Sequence, residues 1–114
     1  MKGVRELNLE LGHPTVKEAL CRLEADLPST AKMKQPVMKI IHGYGSSGKG
    51  GKIRTAVRKR LKEMQETGMV KDVIFGEDFS IFSDSTRKAF GSCEALRQDG
   101  DLDSYNRGVT FVLL

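Results

Sequence analysis

The sequence predicts an α/β fold, in which strands and helices alternate along the chain. Residues 4–11 alternate apolar and polar side chains as a half-buried strand does, and residues 37–41 form a short apolar run after Pro36. After each of these segments, apolar residues recur at the three- and four-residue spacing of a helix. This alternation favours strands joined by helical crossovers, and disfavours a helical bundle or a barrel.

The first strand and the first helix are predicted from opposite kinds of periodicity. The three leucines of residues 4–11 fall on one face of a strand, and the Gly-His-Pro segment that follows ends it. Thr15, with Glu18 three residues later, predicts a capping box at the start of a helix. Pro28 should kink or restart this helix, with a short second segment that runs to about residue 34.

The second strand, residues 37–42, is joined to the first by this helical crossover and should therefore lie parallel to it. The acidic segment at residues 99–103 lacks the ligand pattern of a calcium-binding loop, so we expect a solvated loop there. The remaining elements predicted by the same criteria are a helix over residues 51–67 that ends at Gly68, a strand over residues 70–75 with an extended continuation to Phe82, a helix over residues 84–98 capped by Ser83 or Ser85, and a last strand over residues 109–114.

Length and composition predict one globular domain over residues 1–114. The chain has 19 Lys and Arg against 15 Asp and Glu, a net charge of +4, and seven of the 19 cations lie between residues 49 and 62. That cluster indicates a polyanionic partner more strongly than the net charge does.

Cys21 and Cys93 have neither the spacing of a zinc site nor that of a disulfide framework, and both occupy apolar positions of helical patterns, so we expect buried thiols. The charged first eleven residues do not resemble a signal peptide, and no apolar run approaches the length that a membrane span requires. We therefore expect a cytoplasmic protein with no membrane partner.

The most informative segment follows the second strand. Five glycines lie within the nine residues 43–51, called the glycine loop below, which disfavours regular structure and lets a ligand approach the backbone. A helix begins immediately afterwards, so free backbone N–H groups and the helix dipole favour an anion. The segment therefore predicts phosphate binding.

A nucleotide-binding P-loop is the first alternative. Gly43, Gly48 and Lys49 have the spacing of that motif, but Gly50 stands where the motif requires a serine or threonine to bind Mg²⁺. This departure disfavours nucleoside triphosphates and leaves a small anion or nucleotide binder as a minor alternative.

Residues 40–54 resemble instead the central motif of the Smr (small MutS-related) domain, a family of nucleic-acid-binding and nicking modules. The motif runs apolar-apolar-His-Gly-x-Gly and continues through Ser/Thr- and Gly-rich residues into a basic helix, and the resemblance extends to residues 7–20 and 108–113. It implies a compact two-layer α/β sandwich with a small mixed four-stranded sheet and about three helices, in the order β-α-β-α-β-α-β. Endonuclease activity, DNA repair and RNA binding are the functions it implies.

The resemblance and the phosphate chemistry together imply a set of nucleic-acid-binding residues. Tyr44 either stacks on an unpaired base or folds back on the sheet, and Arg58 either contacts phosphate or belongs to a solvated helix face. The full set is Gly43, Tyr44, Gly45, Ser46, Ser47, Gly48, Lys49, Gly51, Lys52, Arg54 and Arg58.

A second family motif, Leu-Asp-x-His-Gly, is altered in this chain. Glu10 occupies the aspartate position, Gly12 occupies the histidine position, and His13 stands where the glycine belongs. Because the family ties the acidic-x-His pair to nuclease activity, the change predicts weak or absent cutting. If the domain cuts, Glu10 and His42 are the leading candidates for catalysis, and His13 is the third.

His42 has three roles open to it: bonding a phosphate, protonating a leaving oxygen, or bracing the glycine loop. We expect a nucleic-acid-binding domain, with an active nicking endonuclease as the alternative. No permanent cofactor and no built-in metal site are expected, and Mg²⁺ is expected only if the domain cuts. RNA, the ribosome and DNA all remain open as partners, and so does the oligomeric state.

Overall fold

The structure, a computed structural model, describes residues 3–44 and 50–114. Within these residues it contains a four-stranded mixed sheet and three α-helices, which confirms the predicted α/β sandwich and its order of elements. Two short 3₁₀ helices, Gly76–Asp78 and Glu94–Gln98, flank the third α-helix. The elements in chain order are β1 (Val4–Asn8), α1 (Val16–Lys32), β2 (Val37–Ile41), α2 (Gly50–Glu66), β3 (Asp72–Phe75), α3 (Asp84–Ser92) and β4 (Val109–Leu113).

The strands lie in the order β1-β2-β4-β3. β1 and β2 are parallel, as the helical crossover predicted, and β4 runs antiparallel to both β2 and β3. As a result, the C-terminal ends of β1, β2 and β3 meet the N-terminal end of β4 at one edge of the sheet. The glycine-rich segment leaves β2 at that same edge.

Both faces of the sheet are covered. Helices α1 and α2 pack on one face, where Leu23, Met38 and Leu61 are fully buried or nearly so. The two 3₁₀ helices and α3 lie on the other face, around Phe79 and Phe111, whose ring centroids are 4.1 Å apart. A central strand with both faces buried needs apolar residues at successive positions, which explains why four of the five β2 residues are apolar.

The ends of the helices follow the local sequence signals. The Thr15 hydroxyl accepts a hydrogen bond from the Glu18 N–H at 3.1 Å, and the Glu18 carboxylate accepts one from the Thr15 N–H at 2.9 Å. Gly68 ends α2 with a φ of +80°, and Ser83 caps α3, as predicted. The predicted restart at Pro28 is wrong: α1 continues through it, with Leu27 and Thr30 buried on either side.

The segment after β3 differs from its prediction. In place of an extended continuation to Phe82, the chain turns at once into the first 3₁₀ helix. A Cβ at Gly76 would lie 2.0 Å from the Asn106 carbonyl oxygen, so only glycine fits where this turn crosses β4. The third helix is also shorter than predicted and ends at Ser92.

The acidic segment at residues 99–103 is only in part the solvated loop that the sequence predicted: Gly100 and Asp103 are exposed, but Asp99 and Asp101 are partly buried. The buried ammonium of Lys39 lies 2.9 Å from Asp99 and 2.7 Å from Asp101, so a lysine on β2 holds the loop against the sheet. The Cys93 thiol is buried as predicted, whereas the prediction for Cys21 is wrong, because its position on α1 faces solvent. Within the ranges that the structure describes, no helix is long and apolar enough to cross a membrane.

Candidate nucleic-acid interface

The candidate site lies at the sheet edge where β1 and β2 end. The Leu9 N–H donates to the Ile41 carbonyl at 2.8 Å, so the segment after β1 stays hydrogen-bonded to β2 for one residue beyond the strand. The chain of β1 then turns back, with the His13 N–H donating to the Glu10 carbonyl at 3.2 Å and Gly12 at a φ of +81°. The motif residues that follow β1 and β2 are therefore neighbours.

His42 follows β2, points into the protein and is fully buried. Its Nδ1 lies 2.6 Å from the Gly43 carbonyl oxygen, and its Nε2 lies 2.8 Å from the Thr110 hydroxyl. A carbonyl oxygen can only accept, so Nδ1 carries the proton and Nε2 accepts from Thr110 in the neutral ring. Both ring nitrogens are thus engaged inside the protein.

The surroundings of His42 keep it neutral. Burial lowers its pKa, the hydrogen bond to the Gly43 carbonyl raises it, and the positive charges of Arg58 and Arg54 lower it further, against the opposing effect of Glu77. The net pKa is about 4. The one ring proton is donated to the Gly43 carbonyl and the other ring nitrogen accepts from Thr110, so neither is free for a ligand. The geometry therefore favours the loop-bracing role among the three that the sequence left open.

Arg58 is also buried, on the inner face of α2. Its two terminal nitrogens donate to the two Glu77 carboxylate oxygens at 2.8 and 2.7 Å, and its Nε donates to the Thr110 hydroxyl at 3.0 Å. The guanidinium lies 4.1 Å from the centroid of the Phe75 ring. Because its donors are occupied by protein atoms, this side chain does not project towards a phosphate as the sequence predicted, and neither is it part of a solvated face.

Glu77 is the partner that sequence analysis missed. Burial raises the pKa of its carboxyl, but hydrogen bonds from Arg58 and Arg54, a backbone N–H, and the Arg58 charge outweigh burial and lower the pKa to about 2. Glu77 also binds Arg54, whose Nη2 lies 2.9 Å from Oε2 and whose side chain is 28% exposed. Arg54 is therefore shared between the protein and the solvent.

Among the residues that the structure describes, Lys52, Arg107 and Tyr44 offer exposed cationic and aromatic side chains at the outer rim of this edge. Lys52 lies in the first turn of α2, Arg107 precedes β4, and both are exposed. The Tyr44 ring is 55% exposed, and the Arg107 guanidinium carbon lies 5.7 Å from its centroid. Arg107 was not predicted; its one signal in the sequence was its position beside the weak family resemblance over residues 108–113.

The backbone at the start of the glycine loop corrects one prediction. The N–H groups of His42 and Gly43 both donate to the Gly108 carbonyl at 3.0 Å, so the Gly43 N–H is bonded within the protein and is not a phosphate donor. Gly51, which was predicted to contact phosphate, lies in the first turn of α2. The predicted contacts of Gly45, Ser46, Ser47, Gly48 and Lys49 lie outside the described residues.

The three candidate catalytic residues do not converge. Glu10 and His13 are exposed, whereas His42 is enclosed and turned towards Thr110. Glu10 lies against the loop: a Cβ built on Gly43 would be 2.5 Å from Glu10 Oε2. Over residues 3–44 and 50–114 there is no group of three or more His, Cys, Asp and Glu side chains that could hold a metal ion.

Comparisons with known proteins agree with this architecture. No curated protein matches the sequence significantly. The fold is similar to a solved structure, the Smr domain of Thermus thermophilus MutS2, with a TM-score of 0.57, 22% sequence identity and 96% of each chain covered. The model of the Smr domain family matches residues 9–77, more than half of the 114 residues, and the match runs from α1 through β3 to Glu77. The chain therefore belongs to the Smr domain family.

Proposed function

We propose that this domain binds nucleic acid at the sheet edge, with Lys52 and Arg107 contacting phosphates and Tyr44 stacking on a base. Smr domains generally bind nucleic acid, and the arrangement of these three exposed side chains beside the start of α2 is the observation that carries the proposal. An exposed aromatic ring beside a guanidinium group is the combination that single-strand binding proteins use. Arg54, which is partly exposed, adds a third positive charge nearby.

The ligand that fits this surface has unpaired bases. A base can stack on Tyr44 only when it is out of a duplex, whereas the phosphate contacts carry no sequence information. We therefore propose a single-stranded ligand or a looped region, bound without strong sequence preference. Loops of ribosomal RNA belong to this class, and the ribosome is the partner that we propose to test after free oligonucleotides.

Weak or absent nuclease activity is the second part of the proposal. General acids and bases each contribute about 10²- to 10⁴-fold to a hydrolysis rate. Gly12 has no side chain where the family motif has its histidine, and His42 is buried and neutral, which leaves Glu10 as the exposed carboxylate beside the loop. If the domain cuts, Glu10 and a substrate phosphate are the groups that would hold Mg²⁺, which proteins commonly bind through one or two carboxylates and phosphate.

The binding experiment compares two double variants that lose the same charge. Lys52→Ala with Arg107→Ala removes two exposed cations at the edge, and Lys71→Ala with Lys88→Ala removes two exposed lysines elsewhere. Using labelled single-stranded RNA and DNA ten-mers, we expect about a tenfold or greater loss of affinity for the first pair and less than about a twofold loss for the second. Equal losses would mean that only net charge matters, and the proposed site would be wrong.

Stacking is tested separately. Replacing Tyr44 by Ala should weaken single-strand binding by about fivefold to a hundredfold, since a stacked base contributes about 1–3 kcal/mol, and Phe should preserve it. The same variants should leave duplex binding nearly unchanged. A Tyr44→Ala variant with normal single-strand affinity would restrict the site to phosphate contacts.

Cutting is tested with labelled single- and double-stranded substrates, with and without Mg²⁺. The restoring change Gly12→His with His13→Gly should raise any residual cleavage. Its net folding cost should be small, because a side chain added at Gly12 (φ +81°) is strained while its removal from His13 (φ +48°) relieves strain of the same kind. Robust cleavage by the unmodified chain that His13→Ala abolishes would instead support the alternative, an active nicking endonuclease that uses the shifted histidine.

A further inference from the structure

A continuous chain of hydrogen bonds connects the first 3₁₀ helix to the start of the glycine loop. The Glu77 carboxylate binds Arg58 in a bidentate pair, and Arg58 Nε donates to the Thr110 hydroxyl at 3.0 Å. That hydroxyl lies 2.8 Å from His42 Nε2, and His42 Nδ1 lies 2.6 Å from the Gly43 carbonyl oxygen. The three middle residues are buried, with Thr110 and His42 at zero exposure and Arg58 at 7%.

The two end groups determine which atom donates in every hydrogen bond of this series. The Glu77 carboxylate and the Gly43 carbonyl only accept, and Arg58 only donates. The Thr110 oxygen must therefore accept from Arg58 and donate its proton to His42 Nε2, which leaves the imidazole proton on Nδ1 for the carbonyl. Thr110 is the one member of the chain whose side chain both accepts and donates through the same atom.

We propose that Thr110 is a positioning residue of the nucleic-acid site. Through it, the Arg58–Glu77 pair holds His42 in the Nδ1–H tautomer, so that the ring fixes the Gly43 carbonyl and, at a φ of +73°, the backbone that leads to Tyr44. The inference rests on the proposed function, because Tyr44, the residue after Gly43, carries the ring that is proposed to stack on a base.

Packing alone does not account for the threonine at this position. Valine has nearly the same shape and would fill the same space, but it would leave both Arg58 Nε and His42 Nε2 without their partner. Serine keeps the hydroxyl and loses only a methyl group. Thr110→Val and Thr110→Ser therefore form a matched pair that separates the hydrogen-bonding role from the packing role.

The first measurement needs no variant. Nitrogen NMR of the wild-type imidazole near pH 7 should show His42 protonated on Nδ1 and unprotonated on Nε2, with an Nδ1 proton protected from exchange. A dominant Nε2–H tautomer would overturn the inference, since Thr110 could not then donate to the ring.

The second measurement compares the variants at a temperature well below their unfolding. In Thr110→Val, the Nδ1 proton should exchange about tenfold faster and the affinity for a labelled single-stranded ten-mer should fall about tenfold, the effect expected of one lost buried hydrogen bond. In Thr110→Ser, both quantities should stay within about twofold of wild type. Faster exchange with unchanged affinity, or no change in either, would overturn the positioning role.

A further variant keeps the test decisive if Thr110→Val does not fold. Glu77→Gln weakens the far end of the chain at a partly exposed position and should speed Nδ1 exchange about threefold with a smaller loss of affinity. An unchanged exchange rate of the His42 Nδ1 proton in Glu77→Gln would contradict the coupling of Glu77 to His42 through these hydrogen bonds. If the wild-type domain does not bind the ten-mer at all, the proposed function fails, but the tautomer and exchange data still decide whether Thr110 orders His42.

Discussion

Acidification should destabilise this protein through His42. The buried ring has a pKa of about 4, against an ordinary value of 6.5 in the unfolded chain, and Arg58, Arg54 and Glu77 are the charged groups that act on it. As the pH falls below 6.5, the unfolded chain binds a proton that the folded protein does not bind until about pH 4, so stability is present above this window and is lost across it.

The magnitude follows from the two pKa values. Their difference corresponds to about 3 kcal/mol at about 1.4 kcal/mol per pH unit, and about 2 kcal/mol of it should be lost between pH 7 and pH 4.5. Glu77 contributes little to this change, because its carboxyl has a pKa lowered from 4.5 to about 2, so most of its stabilising effect is lost only as the pH falls below 4.5.

The assay is urea unfolding at several pH values between 7 and 4.5 at constant ionic strength. His42→Asn is the control, since its amide can still donate to the Gly43 carbonyl but does not titrate. The wild type should lose about 2 kcal/mol more free energy of unfolding than the variant over this range. Equal losses in the two proteins would refute the assignment of His42 as a buried neutral brace.

Two glycine substitutions test the backbone around the site. Gly43→Ala should lower the free energy of unfolding by about 1–2 kcal/mol because Gly43 has a φ of +73°. The loss should stay within about 0.5 kcal/mol of this value in a Glu10→Ala background, since the exposed Glu10 side chain can move away from the new Cβ. A loss that vanishes in that background would mean that the contact with Glu10, and not the backbone, is its cause. In thermal unfolding, Gly76→Ala should destabilise the protein by more than about 2 kcal/mol because the new Cβ would meet the Asn106 backbone. Gly91→Ala in α3, with open space around it, should be neutral or stabilise the protein by up to about 0.5 kcal/mol. Similar effects of the two substitutions would contradict the described packing.

The topology and the helix ends could be predicted because their signals are local. A strand-helix-strand order predicts a parallel pair, and a Thr-x-x-Glu sequence predicts the hydrogen bonds of the capping box that Thr15 and Glu18 form. The loop and the basic helix after β2 could likewise be recognised from residue types in sequence order.

The sequence could not predict which charged side chains would be buried in ion pairs, because their partners lie far along the chain. Arg58 has the spacing of a phosphate-binding face, but its partner Glu77 is 19 residues away, in a turn that exists only because Gly76 crosses β4 closely. Lys39 within an apolar strand gave no local sign that Asp99 and Asp101 would enclose it. A helical pattern shows which residues share a face, but it does not show which face another element will cover.

The salt dependence of binding tests the central claim most directly. If Lys52, Arg107 and one or two further groups contact phosphates, three or four counterions should be displaced from a single strand, and the slope of log affinity against log salt should be about −2 to −3. Fluorescence anisotropy with a labelled single-stranded ten-mer measures this slope, and the Lys52→Ala, Arg107→Ala variant should reduce its magnitude by about 1.4. A slope near zero, or a slope that the variant leaves unchanged, would contradict a phosphate-binding surface at this edge of the sheet.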